Sequence, residues 1–292
     1  MGKKAILERR LEHHNDVFAD IVNASIAILL KHRRFRKVRP QDLQEAKIWA
    51  DYESVNDIHE EYRDLAKFWT LKKIVICLLG LENQTKIDPE MSLRTIGYEG
   101  GDYRWQLTQE GMEFYPVLTI VIYFGTERRW KKNRTLFERL KPPAALRPLL
   151  NDCHVNVVEL AWLTDEEAAL FKSDFRVVAD YLRQVRKNKN YVPSPQVLKH
   201  VDETMALLAA LSGDRRFVDI LPSLKKGEPV TMIDVLGQVE SRGEKRGIAV
   251  GMERERLATA RRMKAMGMTP EQISGATGLA IDEIDALRKP RK

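Results

Sequence analysis

Cysteine is scarce: Cys77 and Cys153 are the only two in 292 residues. That excludes a disulfide framework or a cysteine-rich zinc module and fits a reducing compartment. Long apolar runs are also missing. The longest, Ile74 to Leu81, has 8 residues, far short of the roughly 18–20 needed to cross a bilayer. Met1-Gly2-Lys3-Lys4 leads into charged residues, and position 6 lacks the Ser or Thr of a myristoylation signal. A cytoplasmic chain without a membrane partner is expected. Glycine (16) and proline (12) are too few for a collagenous or low-complexity chain, and a hydrophobic fraction of 43% excludes wholesale disorder. There is no GxxxxGK[ST] loop, no H-E-x-x-H and no G-x-S-x-G elbow, and the glycines of YEGGDYRW do not make GxGxxG. No small organic cofactor is expected.

What is present is charge, unevenly placed. The total of +7 is a weak pointer to a polyanionic partner, but its distribution says more. Residues 1–39 carry 10 basic and 4 acidic side chains, residues 40–127 carry 8 and 16, and residues 128–150 carry 8 and 1. An acidic block thus lies between two basic ones. The densest basic runs are KHRRFRKVR at 31–39 and RRWKKNR at 128–134.

Residues 6–31 read as a helix, with Phe18, Ile21, Val22, Ser25, Ile26, Leu29 and Leu30 recurring at 3- and 4-residue steps. Residues 61–69 and 73–84 read as an antiparallel strand pair, with Tyr62, Asp64, Ala66 and Phe68 on one face of the first. A helix is expected over 88–110, with Asp88 as cap and Pro89 at its first position. Strands follow at 117–125 and 154–160, then a helix over 164–185 opened by a Thr164–Glu167 capping box. The fold class this implies is α/β, a central mixed sheet flanked by helices over residues 1–189. Residues 188–195 read as a linker into an all-helical C-terminal region, 190–292. Gly243, Gly247 and Gly251 fall on one stripe of a helix ending near 265, and a terminal helical pair spans 269–288. The stripe suits a tether, a coiled coil or a close helix contact. The acidic second helix of the pair is a poor major-groove reader, so a homo-oligomer, with a dimer favoured, is expected over a helix-turn-helix role.

Three polar residues stand out in the acidic block. Asp64 lies on the first strand of the pair, and Glu82 and Gln84 lie at the polar end of the second, on one face. A hairpin can bring Asp64 to Glu82. Two carboxylates at a sheet edge suit Mg²⁺, which takes carboxylates, waters and phosphate oxygens. Such an ion can polarise a phosphodiester and activate water, and Gln84 could orient that water. The alternative is that both acids simply face solvent.

The residues Tyr62-Arg63-Asp64, Gly80-Leu81-Glu82-Asn83-Gln84-Thr85, Met91-Ser92-Leu93-Arg94 and Tyr98 resemble the recombination-promoting nuclease family. Those proteins are transposase-related members of the PD-(D/E)xK nuclease superfamily. HNDVFADIVN, PVLTIVIYFGTERRW and MKAMGMTPEQISGATGLAIDEI fit as well, so the likeness spans nearly the whole chain. It implies a restriction-endonuclease-like fold and a Mg²⁺-dependent DNA endonuclease, with Mn²⁺ or Ca²⁺ as substitute ions, linked to recombination or to mobile-element defence. Asp64 matches the acid of the second core strand. Glu82-x-Gln84 matches the E-x-K of the third, with Gln in place of Lys. Asp16 is the best match to an acid on the first helix. Arg94 matches an arginine that holds a phosphate or a catalytic carboxylate, the alternative being a pair made for the fold alone. The substitution at Gln84 also leaves open a degenerate protein that binds DNA without cutting it. A further alternative is an oligomeric interaction protein of the same fold, whose Gly-periodic helix and terminal helical pair recruit a partner or a second copy.

The basic runs suit a DNA partner. Arg33, Arg34, Arg36, Lys37 and Arg39 in the first, and Arg128, Arg129, Lys131, Lys132 and Arg134 in the second, are the candidate phosphate contacts. Phe35 and Trp130 could stack on bases. The alternative is a pair of solvated charged faces with Trp130 in the core.

Overall fold

The computed structural model of the chain describes residues 9–31, 33–46, 64–109, 111, 113–187, 191–224 and 228–287. These divide into two compact units, Met1–Ile233 and Asp234–Lys292.

The first unit is built on a five-stranded sheet in the order β1-β2-β3-β4-β5. The strands are β1 (Leu43–Glu45), β2 (Leu65–Leu71), β3 (Ile74–Gln84), β4 (Val117–Tyr123) and β5 (Asn156–Glu159). β1, β2 and β3 run antiparallel in sequence, while β4 and β5 continue parallel to β3. β3 is therefore central, and Leu78 to Asn83 are all buried. A central strand with neighbours on both edges and cover on both faces reads as a continuous apolar run. The hairpin turns through Lys72 and Lys73, both at positive φ. The two-residue loop requires that geometry even though neither residue is glycine.

Helix α1 (Asn15–Leu29) buries Val17, Phe18, Ile21 and Val22. The helix expected over 6–31 is interrupted: residues 9–12 form a separate helical turn before His13 and His14. Lys67 of β2 is the physical reason. Its side chain is fully buried, and its ammonium takes the His13 carbonyl, Asn15 Oδ1 and Glu45 Oε1, each at 2.6 Å. A buried ammonium must satisfy its donors, and here it does so at the break in the helix.

On the other face, α2 (Met91–Thr108) links β3 to β4. It starts at Met91, two residues beyond the expected start, because Asp88 Oδ1 binds the Glu90 amide within the preceding turn. Met91 and Tyr98 join Val121, Tyr123, Trp130, Val155 and Val157 in one core cluster. The short helix α3 is Leu136–Leu140.

The helix expected over 164–185 is two helices, α4 (Asp165–Ala168) and α5 (Phe175–Arg186). The Thr164–Glu167 capping box is present. Beyond α4, Asp20 Oδ2 accepts the Lys172 and Ser173 amides at 2.8 and 2.7 Å, holding the break open.

The expectation of an all-helical region after 190 is corrected. β6 (Val197–Leu198) and β7 (Val230–Thr231) form an antiparallel pair that brackets α6 (Val201–Ser212) and α7 (Arg216–Asp219). Residues 191–233 belong to the first unit. Asp174 secures them by accepting the Lys199 and His200 amides at 2.9 and 2.6 Å.

The second unit comprises most of α8 (Met232–Ala265), α9 (Pro270–Thr277) and α10 (Ile281–Ala286). Its core is Ala260, Ile273, Leu279 and Ile284. Thr269 and Gln272 make a capping box ahead of Pro270, and Gly278 closes α9 in the left-handed conformation. Residues 240–256 are exposed, and Gly243, Gly247 and Gly251 meet nothing within 4 Å at their Cβ positions among the described residues. The stripe makes no close helix contact within those residues. No described helix is long and apolar enough to cross a membrane.

Candidate active site

Leu65 pairs with Leu81 across the hairpin, so Asp64 stands opposite Glu82. The expected meeting of these two acids occurs. The Asp64 amide lies 3.4 Å from Glu82 Oε2, and the Asn83 amide donates to Asp64 Oδ2 at 2.7 Å. Gln84 Nε2 donates to Glu82 Oε1 at 3.2 Å. Glu82 and Gln84 point to the α2 face of the sheet, as residues two apart on a strand must. Arg94, one turn into α2, closes the group. It donates to Glu82 Oε1, to Asp88 Oδ2 at 2.7 Å and to the Tyr98 hydroxyl at 2.8 Å. Tyr62 lies outside the described residues.

Glu82 is only 2% exposed. Burial, together with the Asp64 carboxylate, pushes it up to about 7 against the opposing pull of Arg94. Burial alone would lower the Arg94 guanidinium, but its bonds to Asp88 and Tyr98 and the Glu82 charge outweigh burial and raise it. Glu82 is thus an acid that its surroundings do not fully neutralise.

Two further residues reach the site from the N-terminal turn. Arg9 Nε and Nη2 donate to Asp64 Oδ1 at 3.1 and 2.6 Å. The fully buried Glu12 accepts from Asn83 Nδ2 at 2.7 Å. No spacing pattern points to either, since 55 and 71 residues separate them from their partners. The helical turn at 9–12 therefore brings its acid to β3 through Glu12.

Asp16 goes elsewhere. Its carboxylate meets Lys199 Nζ at 2.8 Å and His200 Nε2 at 3.0 Å, beside a cavity of about 340 Å³ shared with Asp20, Asn23, Lys172 and Asp174. Burial works against its charge, but Lys199 and His200 outweigh burial and hold it at about 2. His14 stacks on His200 with ring centroids 3.7 Å apart. The structure brings Asp64, Glu82, Gln84 and Arg94 together and places Asp16 in a separate, neutralised cluster.

The basic runs are also partly redistributed. Arg33, Arg34, Arg36 and Lys37 are exposed, while Arg39 is held bidentate by Asp42 at 2.8 Å. Arg128, Lys131 and Lys132 are exposed. Arg129 and Arg134 both bind Glu159 Oε2 at 3.0 Å. Trp130 is no stacking platform. It is fully buried, edge-on to Tyr123 at 5.4 Å, because it anchors the loop that leaves β4.

The model of the family described as "Putative transposase, YhgA-like" matches residues 64–210. The chain belongs to that family. The match opens on Asp64 and takes in Glu82, Gln84, Arg94 and the 128–134 run, so the YhgA-like region contains the whole carboxylate pair. It stops short of the second unit and leaves out Arg9, Glu12 and Asp16. The family's description points to a transposition-related function. No curated protein matches the chain, and no solved structure does.

Among the described residues no group of three or more His, Cys, Asp or Glu side chains is arranged to hold a metal ion. The donor chemistry at Asp64 and Glu82 still suits a hard cation: two carboxylates, with Glu82 incompletely compensated. Mg²⁺ commonly takes one or two protein carboxylates and completes its shell with water and phosphate.

Proposed function

We propose that the chain is a metal-dependent DNA endonuclease in a transposition-related role, with a restriction-endonuclease-like core. The observation that carries this reading is the Asp64–Glu82 pair. Two acids face each other across adjacent strands, one is buried, and its pKa is driven to about 7. The succession of α1, three antiparallel strands, α2 and a parallel β4 supports the same core. Asp64 immediately precedes the second strand, and Glu82 lies near the end of the third.

In this reading Asp64 and Glu82 hold Mg²⁺, with Mn²⁺ or Ca²⁺ able to take its place. When bound, the ion polarises the phosphodiester and lowers the pKa of an attacking water. Gln84 positions that water or a phosphate oxygen as a neutral donor. Arg94 keeps Glu82 oriented and offers a guanidinium to the charge that develops on phosphate. Asp88 and Tyr98 hold Arg94 in place.

A second reading has its own observation. Arg9 pairs with Asp64 and Arg94 with Glu82, so each carboxylate already has a cationic partner, and Gln84 stands where the superfamily has Lys. Such a protein would hold DNA without cutting it. Incubation with supercoiled plasmid and Mg²⁺ separates the two. The endonuclease reading predicts nicked or linear product that disappears with EDTA and in Asp64→Ala. Duplex binding indifferent to Mg²⁺, with no product after long incubation, would establish the second reading instead.

A further inference from the structure

The loop after β4 has an internal organiser that the charge pattern did not reveal. β3, β4 and β5 are parallel and in register, with Gln84 beside Tyr123 and Tyr123 beside Glu159. Neighbouring strands lie about 4.8 Å apart, so Glu159 stands about 10 Å from Gln84, two strands away on the same rung. Side chains of one rung share a face, and Glu159 therefore lies on the same sheet face as Glu82 and Gln84. The chain leaves β4 at that rung, where the Phe124 amide donates to the Gln84 carbonyl at 2.8 Å.

Glu159, only 8% exposed, then gathers the loop. Its Oε1 accepts the Trp130 amide at 2.7 Å, and its Oε2 accepts Arg129 and Arg134 at 3.0 Å each. Arg134 Nε returns to the Trp130 carbonyl. The buried indole of Trp130 and the Tyr123 hydroxyl, which donates to the Arg128 carbonyl at 2.9 Å, fix the loop from below. Gly125 leaves room for the Tyr123 ring, whose atoms lie 2.3 Å from where a Cβ would stand. Arg128, Lys131 and Lys132 remain exposed, and none of the three makes an ion pair among the described residues.

We propose that residues 128–134 form a prebuilt phosphate clamp. Glu159 holds Arg129 and Arg134 as the frame and directs Arg128, Lys131 and Lys132 toward the DNA backbone. Glu159 is then a positioning residue. This rests on the DNA reading above, and it divides among named roles five cations that the sequence presents as equivalent. A buried carboxylate bonded to two guanidiniums and a backbone amide is a strong local anchor. Exposed cations without partners release counterions on meeting phosphate, and each contributes about 0.9 to the slope of log affinity against log salt.

The test is duplex binding by the full chain across a salt series, in EDTA so that no cutting intervenes. Lys131→Ala/Lys132→Ala, two surface changes, should lower the slope by about 1.8. Glu159→Gln should weaken binding at least fivefold and flatten the slope, with its circular dichroism spectrum unchanged. Simple electrostatics predicts the opposite for Glu159→Gln, because removing a negative charge and freeing two arginines should tighten binding and steepen the slope. A tighter or steeper Glu159→Gln, or an unchanged slope in the lysine pair, would overturn the clamp while leaving DNA binding intact. Wild-type protein that bound no duplex at any salt would overturn the DNA reading and the clamp together.

Discussion

Asp16, on α1, and Glu82, on the central strand β3, are both acids with a cation within hydrogen-bonding distance. Their settings differ in what else is near. Asp16 has Lys199 and His200, with no second acid bonded to it among the described residues, and it is held at about 2. Glu82 shares Arg94 with Asp88 and faces Asp64 across the hairpin, and it is pushed up to about 7. One cluster ties α1 to the segment before α6. The other keeps a charge unfavourable to the fold, and such sites are functional candidates because stability alone does not account for them.

The largest expected effect is on catalysis. Asp64→Ala or Glu82→Ala should lower the initial rate of plasmid nicking by at least about a hundredfold, whereas Asp16→Asn should nick at close to the wild-type rate. Equal losses from all three would erase the distinction between the clusters.

Stability should move the opposite way. The folded pKa of Glu82 lies above its ordinary value, so its charge begins to cost stability as pH rises from about 4.5 and costs fully above about 7. A rise of that size corresponds to about 3 kcal/mol for so buried a group. Glu82→Gln should therefore melt roughly 5–10 °C above wild type at pH 8 in EDTA, with the gap closing toward pH 4.5. Calorimetric melting across that range checks it, and a Glu82→Gln variant no more stable at pH 8 would contradict it.

Gln84→Ala should slow nicking about five- to tenfold, the scale of one neutral hydrogen bond and far less than loss of either carboxylate. A loss as large as that of Asp64→Ala would move Gln84 from a positioning role to an essential one.

The smallest effect belongs to Asp16. Its depressed pKa means that its contribution is present above about 3.8 and is lost as pH falls through about 2. Because Lys199 is largely exposed, solvent screening leaves about 1 kcal/mol. Asp16→Asn should be destabilised by that amount at pH 7 in denaturant titrations and should converge on wild type near pH 2.

The local features of this molecule were legible in its sequence. The hairpin, the apolar run of β3, the Thr164–Glu167 capping box and the Thr269–Gly278 helix all follow from short-range patterns, and the meeting of Asp64 with Glu82 follows from the hairpin. What the sequence hid depends on distant partners. β1 is three residues long, and only its pairing with β2 marks it as a strand. Lys67 sits in a strand as a charged residue, and only its three oxygen partners explain its burial and the break at His13. Glu12 and Asp16 occur on one N-terminal stretch, four residues apart. Asn83 and His200, both far along the chain, decide which acid goes where. The run around Trp130 leaves both a stacking and a core role open for it, because the acid that organises its neighbours, Glu159, lies at the end of a different strand.

Under the proposed function Glu82, and not Asp16, belongs to a cation site. Isothermal titration of Mn²⁺ into the full chain at pH 7.5 tests it most directly. Wild type and Asp16→Asn should each bind the ion with the same affinity, and Glu82→Gln should lose that binding. Undiminished binding by Glu82→Gln, or its loss in Asp16→Asn, would contradict the account.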